Sequence, residues 1–359
     1  MSIPDKIVCE VRENANNKDN AGTLTPQILA YMYEAKLFKL FVPKDLEGLM
    51  LPLPEALRVF ERAAWIDGSF GWLVTIGSGG GFFSATLPPE VSPLLFGHAK
   101  AVVAGSGHPN GIARRVEGGY EVSGQWKYCS GSTYASLFTA NGRIEGEPGT
   151  EPEIRSFAFL PEQVTVIPDW NSFGLKATES HSISVKKAFV PTERTFNIMS
   201  VPHYDDPIFR YPFLPFAQTS FTAVCLGICR HFLEEARSFA ALRQEEWTQT
   251  RPLRIAALLH ILEEQEAYFE AAASRFYETV ERTWADFVSS GQLPEQDERE
   301  VGRCSQEAAS VSLSCAHAIF PQLGMAALME DSLINRIWRD LHTVTQHSVL
   351  VPEAYFIRE

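Results

Sequence analysis

The chain has 359 residues and a formal net charge of −13, from 31 Lys and Arg against 44 Asp and Glu. This acidic balance disfavours nucleic-acid binding, which requires a basic surface. Hydrophobic residues form 45% of the sequence, enough for a large core, yet no apolar run approaches the roughly 20 residues that span a bilayer. The N-terminus lacks the basic start and apolar stretch of a secretory signal, which predicts a cytoplasmic protein without a membrane partner.

The stretch from Thr25 to Leu87 predicts helices. TPQILAYMYEAKLFKLF begins with a capping Thr25, and LPEALRVFERAAWIDGSFGWLVTIG continues the helical pattern to Gly77. SGGGFF then interrupts it, because consecutive glycines disfavour a helix interior unless the backbone must approach another group closely. Nearby aromatic residues either pack in the core or line a substrate pocket: Trp65, Trp72, Phe82 and Phe83.

From about Ala101 to Asn197 the apolar residues alternate and the turns are rich in glycine, which predicts strands. RRV-EGG-YEV is a hairpin signal, and the block is long enough for a small barrel or sandwich. After Pro212 the helical period returns in four segments, which predict a four-helix bundle. We therefore expect a mainly α protein with a central β domain, divided into helices at 1–100, strands at 101–205 and a bundle at 206–359.

Six cysteines are spread along the chain, and only Cys225 and Cys229 in CLGIC lie close together. No second pair or histidine cluster follows in the sequence to complete a tetrahedral metal site. We expect buried, reduced core thiols and no metal.

Several motifs, in this order, resemble the acyl-CoA dehydrogenase superfamily. They are LFKLFVPKDLEGL, ERAAWIDGSFGW, GGYEVSGQWKYCSG, GLKATESHSISVKKAFVPTERTF and the Arg-Asp pair of NRIWRDLH. The residues of these motifs are most similar to those of the two-component flavin-dependent monooxygenases, such as the oxygenase components for 4-hydroxyphenylacetate and dibenzothiophene. The resemblance implies an oxidoreductase that receives reduced flavin, FMN or FAD, from a separate reductase and oxidises a small aromatic or heterocyclic substrate. It also implies a homotetramer that associates through the bundle. Apolar residues of one predicted helix support this association: Leu258, Ile261, Phe269 and Phe276.

The end of the chain separates this branch from the dehydrogenases. Dehydrogenases of the superfamily carry a carboxylate base shortly after Arg-Asp, whereas Arg339 and Asp340 are followed here by LHTVTQHSVLVPE, with Ser348 and its neighbours in place of that base. His347 stands there instead and resembles a substrate contact or acid/base, the alternative being a histidine that interacts with the helix dipole. A dehydrogenase with a base from elsewhere and a non-catalytic flavin- or ligand-binding relative remain open as alternatives.

The resemblance also assigns residues to the flavin. Gly105, Ser106 and Gly107 in AGSGHPNG match the strand end at the pyrimidine edge, unless they form an ordinary turn. WKYCSG matches the segment that places an aromatic ring on the flavin and a hydroxyl near N5: Trp126, Tyr128, Cys129 and Ser130, with Ser130 favoured over Cys129 for N5. Gly324 survives from an otherwise eroded adenine-binding run. Gly80 stands where the monooxygenases usually have a second active-site histidine.

Overall fold

The computed structural model describes residues 3–16, 23–146 and 153–351. The chain folds into a helical block, a sheet and a second helical block. The α-helices are α1 Asp5–Asn16, α2 Pro26–Glu34, α3 Leu53–Ile66, α4 Gly68–Gly80, α5 Ser92–Phe96, α6 Phe213–Thr250, α7 Pro252–Ser290, α8 Glu295–Leu323 and α9 Leu333–Val344. The strands are β1 Val103–Val116, β2 Gly119–Cys129, β3 Leu137–Ile144, β4 Ile154–Phe159, β5 Thr165–Ile167, β6 His181–Pro191 and β7 Thr195–Phe196.

Helix α4 does not stop at Gly77, which corrects the expected break. It runs to Gly80 because its glycines let the helix pack closely against other parts of the chain. A Cβ atom at Gly77 would lie 2.3 Å from the ring of Phe38, and one at Gly80 would lie 2.4 Å from Cβ of Val103 on β1. The cap predicted at the start of α2 is confirmed, since the side chain of Thr25 accepts a hydrogen bond from the backbone N–H of Ile28.

The seven strands form one mixed sheet in the order β5-β6-β2-β1-β3-β4-β7. Strands β1 and β3 are parallel, and the other neighbouring pairs are antiparallel. The predicted hairpin RRV-EGG-YEV is confirmed: β1 and β2 pair up to Val116 opposite Gly119. Gly118 in its turn has φ +75°, a conformation that glycine adopts without steric cost.

Helices from both ends of the chain share one hydrophobic core. The ring of Phe41, before α3, lies 6.0 Å from that of Phe60 on α3 and 5.1 Å from that of Phe216 on α6. Three apolar residues on α7 that we expected to drive association are instead buried in this core: Leu258, Phe269 and Phe276 are at most 1% exposed. Among the described residues, no helix has both the length and the apolar character to cross a membrane.

The loop between β5 and β6 is fastened to α9 across this core. The carboxylate of Asp340 accepts a hydrogen bond from the backbone N–H of Leu175 at 2.6 Å. Gly174 permits the contact, since a Cβ atom there would lie 2.3 Å from the carbonyl oxygen of Arg339. The loop carries Thr178 and Ser180 to the end of β2, so the last helix helps to position the residues described next.

Candidate active site

Ser130 follows β2 in a tight bend and is almost completely buried. Its hydroxyl oxygen accepts a hydrogen bond from Nε1 of Trp72 at 2.9 Å and lies 2.7 Å from the hydroxyl oxygen of Ser180. Tyr128 and Gly131 on either side have φ +68° and +73°, so the backbone reverses sharply here. The reversal turns Ser130 toward α4 and the β5–β6 loop rather than toward a neighbouring strand.

His347 lies just beyond α9 and packs against aromatic rings of two other helices. Its ring centroid is 4.3 Å from that of Phe221 on α6 and 6.0 Å from that of Trp72 on α4. Trp72 and Phe221 are themselves 5.0 Å apart. The indole of Trp72 therefore contacts both residues that the sequence nominated as catalytic, Ser130 through its N–H and His347 through its ring.

The electrostatic surroundings keep His347 uncharged. Burial of the ring, followed by the imidazole of His108, lowers the pKa of His347 to about 4. The ring nitrogen Nδ1 accepts from the backbone N–H of Val349 at 3.4 Å, which places the proton of the neutral ring on Nε2. At neutral pH His347 thus presents a hydrogen-bond donor rather than a cation.

Gly80 stands where the monooxygenases usually have a second active-site histidine, and a histidine cannot fit there without rearrangement. Gly80 packs directly against Val103, which leaves no room for a side chain. His108, on strand β1, is exposed, and its imidazole adds to the effect of burial in lowering the pKa of His347. Sequence reasoning missed His108, whose only signal was its place in the nominated AGSGHPNG run.

Gly105, Ser106 and Gly107 lie within β1 and not in a turn, which corrects that alternative. Gly105 pairs with Thr139 of β3, and a Cβ atom at Gly105 would lie 2.2 Å from the carbonyl oxygen of Thr139. The register shifts after Ser106, and the carbonyl oxygen of Gly107 accepts a hydrogen bond from Asn141. Gly105 is thus required by strand packing, whereas a Cβ atom at Gly107 would meet no atom within 4 Å.

The nominated residues at the end of β2 divide into core and surface. Trp126 is 0% exposed, and its Nε1 donates to the carbonyl oxygen of Asn141, so its ring has no free face for a ligand. Cys129 is also fully buried, and burial raises the pKa of its thiol to about 12. Tyr128 is 63% exposed and lies 6.3 Å from the ring of Trp170. The aromatic surface at the end of β2 is therefore that of Tyr128, with Trp170 of the β5–β6 loop beside it.

Gly324 lies at the end of α8. It has φ +77°, and a Cβ atom there would lie 2.4 Å from a guanidinium nitrogen of Arg254. That guanidinium also donates to the carbonyl oxygen of Gln322. Gly324 is thus explained by a helix end packed on the start of α7, and no contact among the described residues joins it to Ser130 or His347.

Two cavities flank the β5–β6 loop. The larger, about 340 Å³, is lined by charged residues including Asp67, Arg336 and Asp340, and the smaller, about 160 Å³, is lined by Trp170, Lys176 and other loop residues. Neither is lined by Ser130 or His347. The candidate site is therefore defined by the side chains around Trp72 and not by either cavity.

The side chains present are suited to a flavin, which needs aromatic or apolar surfaces for its rings and polar groups at its edges. Ser130 offers a hydroxyl, and the half-buried Gly105 and Ser106 offer exposed backbone. Tyr128 and Trp170 offer aromatic surface. In the described part of the chain, no group of three or more His, Cys, Asp or Glu side chains is placed to hold a metal ion. The cysteines of the CLGIC motif, Cys225 and Cys229, are buried free thiols as predicted.

Comparison of the whole chain with known proteins identifies its fold family. Residues 219–352 match the family described as acyl-CoA dehydrogenase, C-terminal domain. The crystal structure of 3-HSA hydroxylase from Rhodococcus sp. RHA1 is similar with a TM-score of 0.86 and 22% identity, over 98% of this chain and 93% of that one. TdsC from Paenibacillus sp. A11-2, solved with FMN and indole, has a TM-score of 0.77 and 20% identity, over 99% and 94%. The fold is that of the acyl-CoA dehydrogenases.

A relative in sequence narrows the class. Indole-3-acetate monooxygenase of Pseudomonas putida is 30% identical over 322 residues, which make up 89% of this chain and 82% of the relative. The oxygenase subunit HsaA of a flavin-dependent monooxygenase from Rhodococcus jostii RHA1 is 23% identical and matches 99% of this chain. The chain belongs to the flavin-dependent monooxygenases of the acyl-CoA dehydrogenase superfamily, which confirms the resemblance seen in its motifs.

Proposed function

We propose that this protein is the oxygenase component of a two-component monooxygenase that hydroxylates a small aromatic or heterocyclic compound. Reduced FMN or FAD arrives from a separate flavin reductase. When bound, the reduced flavin supplies the two electrons with which O₂ is split into one oxygen atom for the substrate and one for water. The chain's own residues bind the flavin and substrate, exclude water and orient the reacting groups.

The observation that carries this proposal is the contact of Trp72 with both Ser130 and His347. It places a hydroxyl suited to a flavin edge and an imidazole suited to a substrate on one indole. Trp72, Phe221 and His347 form an aromatic cluster, which favours a flat aromatic substrate by ring stacking. We assign Ser130 to the flavin N5 position and His347 to the substrate.

His347 acts here as a neutral hydrogen-bond donor. Its Nε2–H has no partner within the described residues and is free to bind a polar atom of the substrate. Such a bond fixes the substrate carbon that faces the oxidant, and it disfavours bulk water at the same place.

The dehydrogenase alternative lacks its main chemical group. Removal of a proton beside a thioester needs a carboxylate base. Residues 341–351 contain no carboxylate, and the following Glu353 lies outside the described residues. The relatives named above are monooxygenases, which favours oxygen transfer over dehydrogenation.

We further propose that the protein is a cytoplasmic homotetramer. Once Leu258, Phe269 and Phe276 are assigned to the core, other apolar residues must form the interface. The start of α7 and the connection from α8 to α9 lie together and expose four large apolar side chains, which we call the end patch: Leu253, Met325, Leu328 and Met329. At 53–86% exposure these residues are candidates for burial between subunits.

The decisive experiment supplies the protein with reduced FMN or FAD, O₂ and indole or indole-3-acetate, and measures hydroxylated product and hydrogen peroxide. His347→Ala should lower product roughly ten- to a hundredfold, because one polar substrate contact is lost, while flavin binding persists and peroxide rises. His347→Gln retains an N–H donor and should restore part of the yield. Ser130→Ala should raise peroxide release even without substrate, because its contact is with the flavin.

These outcomes separate the candidate functions. Unchanged product and peroxide in both alanine variants would remove Ser130 and His347 from the site. Enoyl-CoA formation from an acyl-CoA with an artificial electron acceptor would instead support a dehydrogenase. A wild-type protein that binds flavin in neither redox state would be a non-catalytic relative.

A further inference from the structure

Ser130 is the first member of a chain of three buried hydroxyl groups. Its oxygen lies 2.7 Å from that of Ser180, which lies 2.6 Å from that of Thr178. The hydroxyl of Thr178 lies 2.8 Å from the carbonyl oxygen of Leu175. These separations are those of O–H···O hydrogen bonds. The three hydroxyls are at most 5% exposed, so water does not compete for them.

The direction of every bond in this chain follows from its end. The carbonyl oxygen of Leu175 can only accept, so the short contact is attractive only if Thr178 donates to it. A hydroxyl has one proton, and Thr178 must therefore accept from Ser180. Ser180 in turn has used its proton and must accept from Ser130. The proton of Ser130 consequently points at Ser180.

The other side of Ser130 is constrained by Trp72. An indole N–H is a donor only, so it occupies one lone pair of the Ser130 oxygen. A hydroxyl oxygen has two lone pairs, and its single proton is already committed to Ser180. Ser130 is left with one free lone pair and no free proton. It can accept one further hydrogen bond and donate none.

We infer that Thr178 and Ser180 are positioning residues that make Ser130 a hydrogen-bond acceptor and thereby make the site selective for reduced over oxidised flavin. The inference rests on the proposed function, in which Ser130 meets flavin N5. Reduced flavin carries a proton at N5 and donates, whereas oxidised N5 has only a lone pair. The reduced form gains a bond to Ser130, and the oxidised form meets two opposed lone pairs. Selectivity of this kind retains the incoming reduced flavin and releases the spent one.

The test measures the dissociation constant of oxidised FMN in air and that of dithionite-reduced FMN without oxygen. The first constant divided by the second is the affinity ratio, and it is compared between variants. FAD replaces FMN if the wild-type chain binds it more tightly. In Ser180→Ala the proton of Ser130 loses its acceptor and turns toward the ligand. Oxidised flavin should then bind about tenfold tighter relative to reduced flavin, the value of one hydrogen bond gained.

Thr178→Val gives an independent reading with little change in shape. Without the Thr178 hydroxyl, Ser180 turns its proton to Ser130, and the whole chain reverses. Ser130 then donates outward, so the affinity ratio should fall at least as far as in Ser180→Ala. Thr178→Ser keeps the hydroxyl and should keep the wild-type ratio.

Ser132→Ala is the matched control. Ser132 is equally buried and its hydroxyl donates to the carbonyl oxygen of Glu179 at 2.9 Å, so it joins the same two loops outside the hydroxyl chain. The inference is supported if only Ser180→Ala and Thr178→Val lower the ratio. It is overturned if both keep the wild-type ratio, if Ser132→Ala lowers it equally, or if Ser180→Ala abolishes binding of reduced flavin. Wild-type protein that binds neither flavin form overturns the proposed function, and this inference with it.

Discussion

At the scale of single residues, Trp72 accounts for more of the candidate site than any residue named for catalysis. It fixes Ser130 by a hydrogen bond and packs on His347, although the three are far apart in the sequence. The sequence indicated Trp72 only as one of several aromatic residues near a glycine break. Its role became visible because the bend after β2 brings Ser130 to α4.

The glycines of α4 lead to a prediction with an internal control. Gly80→Ala places a methyl group 2.4 Å from Cβ of Val103, whereas a Cβ atom at Gly79 meets nothing within 4 Å. We expect Gly80→Ala to lower the free energy of unfolding by about 1–3 kcal/mol through overpacking. Gly79→Ala should raise it by about 0.5–1 kcal/mol, because alanine favours a helix. Urea unfolding followed by circular dichroism measures both, and equal effects would contradict the contact.

Asp340 should make the stability of the fold depend on pH. Burial, followed by the nearby carboxylate of Asp67, raises the pKa of Asp340 to about 7. The folded chain therefore holds this proton more tightly than the unfolded chain, in which Asp ionises near pH 4. Asp340 should destabilise the fold progressively as the pH rises from about 4 to 7, with no further change above.

Asp340→Asn removes this titration and retains an oxygen to accept from Leu175. The difference in unfolding free energy between variant and wild type should shift in favour of the variant as the pH rises from 5 to 8. Urea midpoints at pH 5, 6, 7 and 8 measure it. A difference that stays constant over that range would show that Asp340 does not titrate there.

At the scale of elements, a buried carboxylate fastens α3 to the bundle. Glu61 on α3 accepts from Nε of Arg230 on α6 at 2.5 Å and from the hydroxyl of Tyr277 on α7 at 2.5 Å. Glu61→Ala leaves the hydroxyl of Tyr277 and Nε of Arg230 without this acceptor, while Arg230 keeps its ion pair with Glu270. We therefore expect a loss of about 1–3 kcal/mol in unfolding free energy. The helical N-terminal block thus depends on a polar contact as well as on the shared core.

The exposed pair between Arg58 and Glu281 is the control for this element-scale prediction. It also joins α3 to α7, but both side chains are about half exposed, at 52% and 55%. Glu281→Ala makes the same chemical change and should cost less than about 1 kcal/mol. Chemical denaturation measures the unfolding free energy of both variants. Similar losses in the two would show that the burial of Glu61 does not add to the stability of the contact.

At the scale of the whole molecule, the end patch should govern association. Replacing two of its members by charges, Leu253→Lys with Met325→Glu, should reduce the oligomer seen by light scattering at micromolar concentration. Leu94→Glu changes a residue that is equally exposed, at 77%, but lies on α5 outside the bundle, and should have no effect. A monomeric wild type would contradict the proposed tetramer, and a tetramer insensitive to the paired change would place the interface elsewhere.

The sequence by itself determined the class of this protein. Helical and alternating apolar periods are local, and they marked the helical block, the strands, the hairpin and the bundle because neighbouring residues set these patterns. The ordered motifs identified the superfamily and the monooxygenase branch. They also picked out Ser130 and His347, which the fold brings to the same indole and whose roles remain predictions.

Only the tertiary structure decided which side chains meet. Ser130 and Trp72 are 58 positions apart, and Asp340 and Leu175 are 165 apart, so no local pattern reports their contacts. The same holds for Gly80 against Val103 and for the burial of apolar residues on α7 that we had assigned to an interface. Burial and hydrogen-bond direction depend on packing between distant segments, and they turned a list of candidate residues into a proposed site around Trp72.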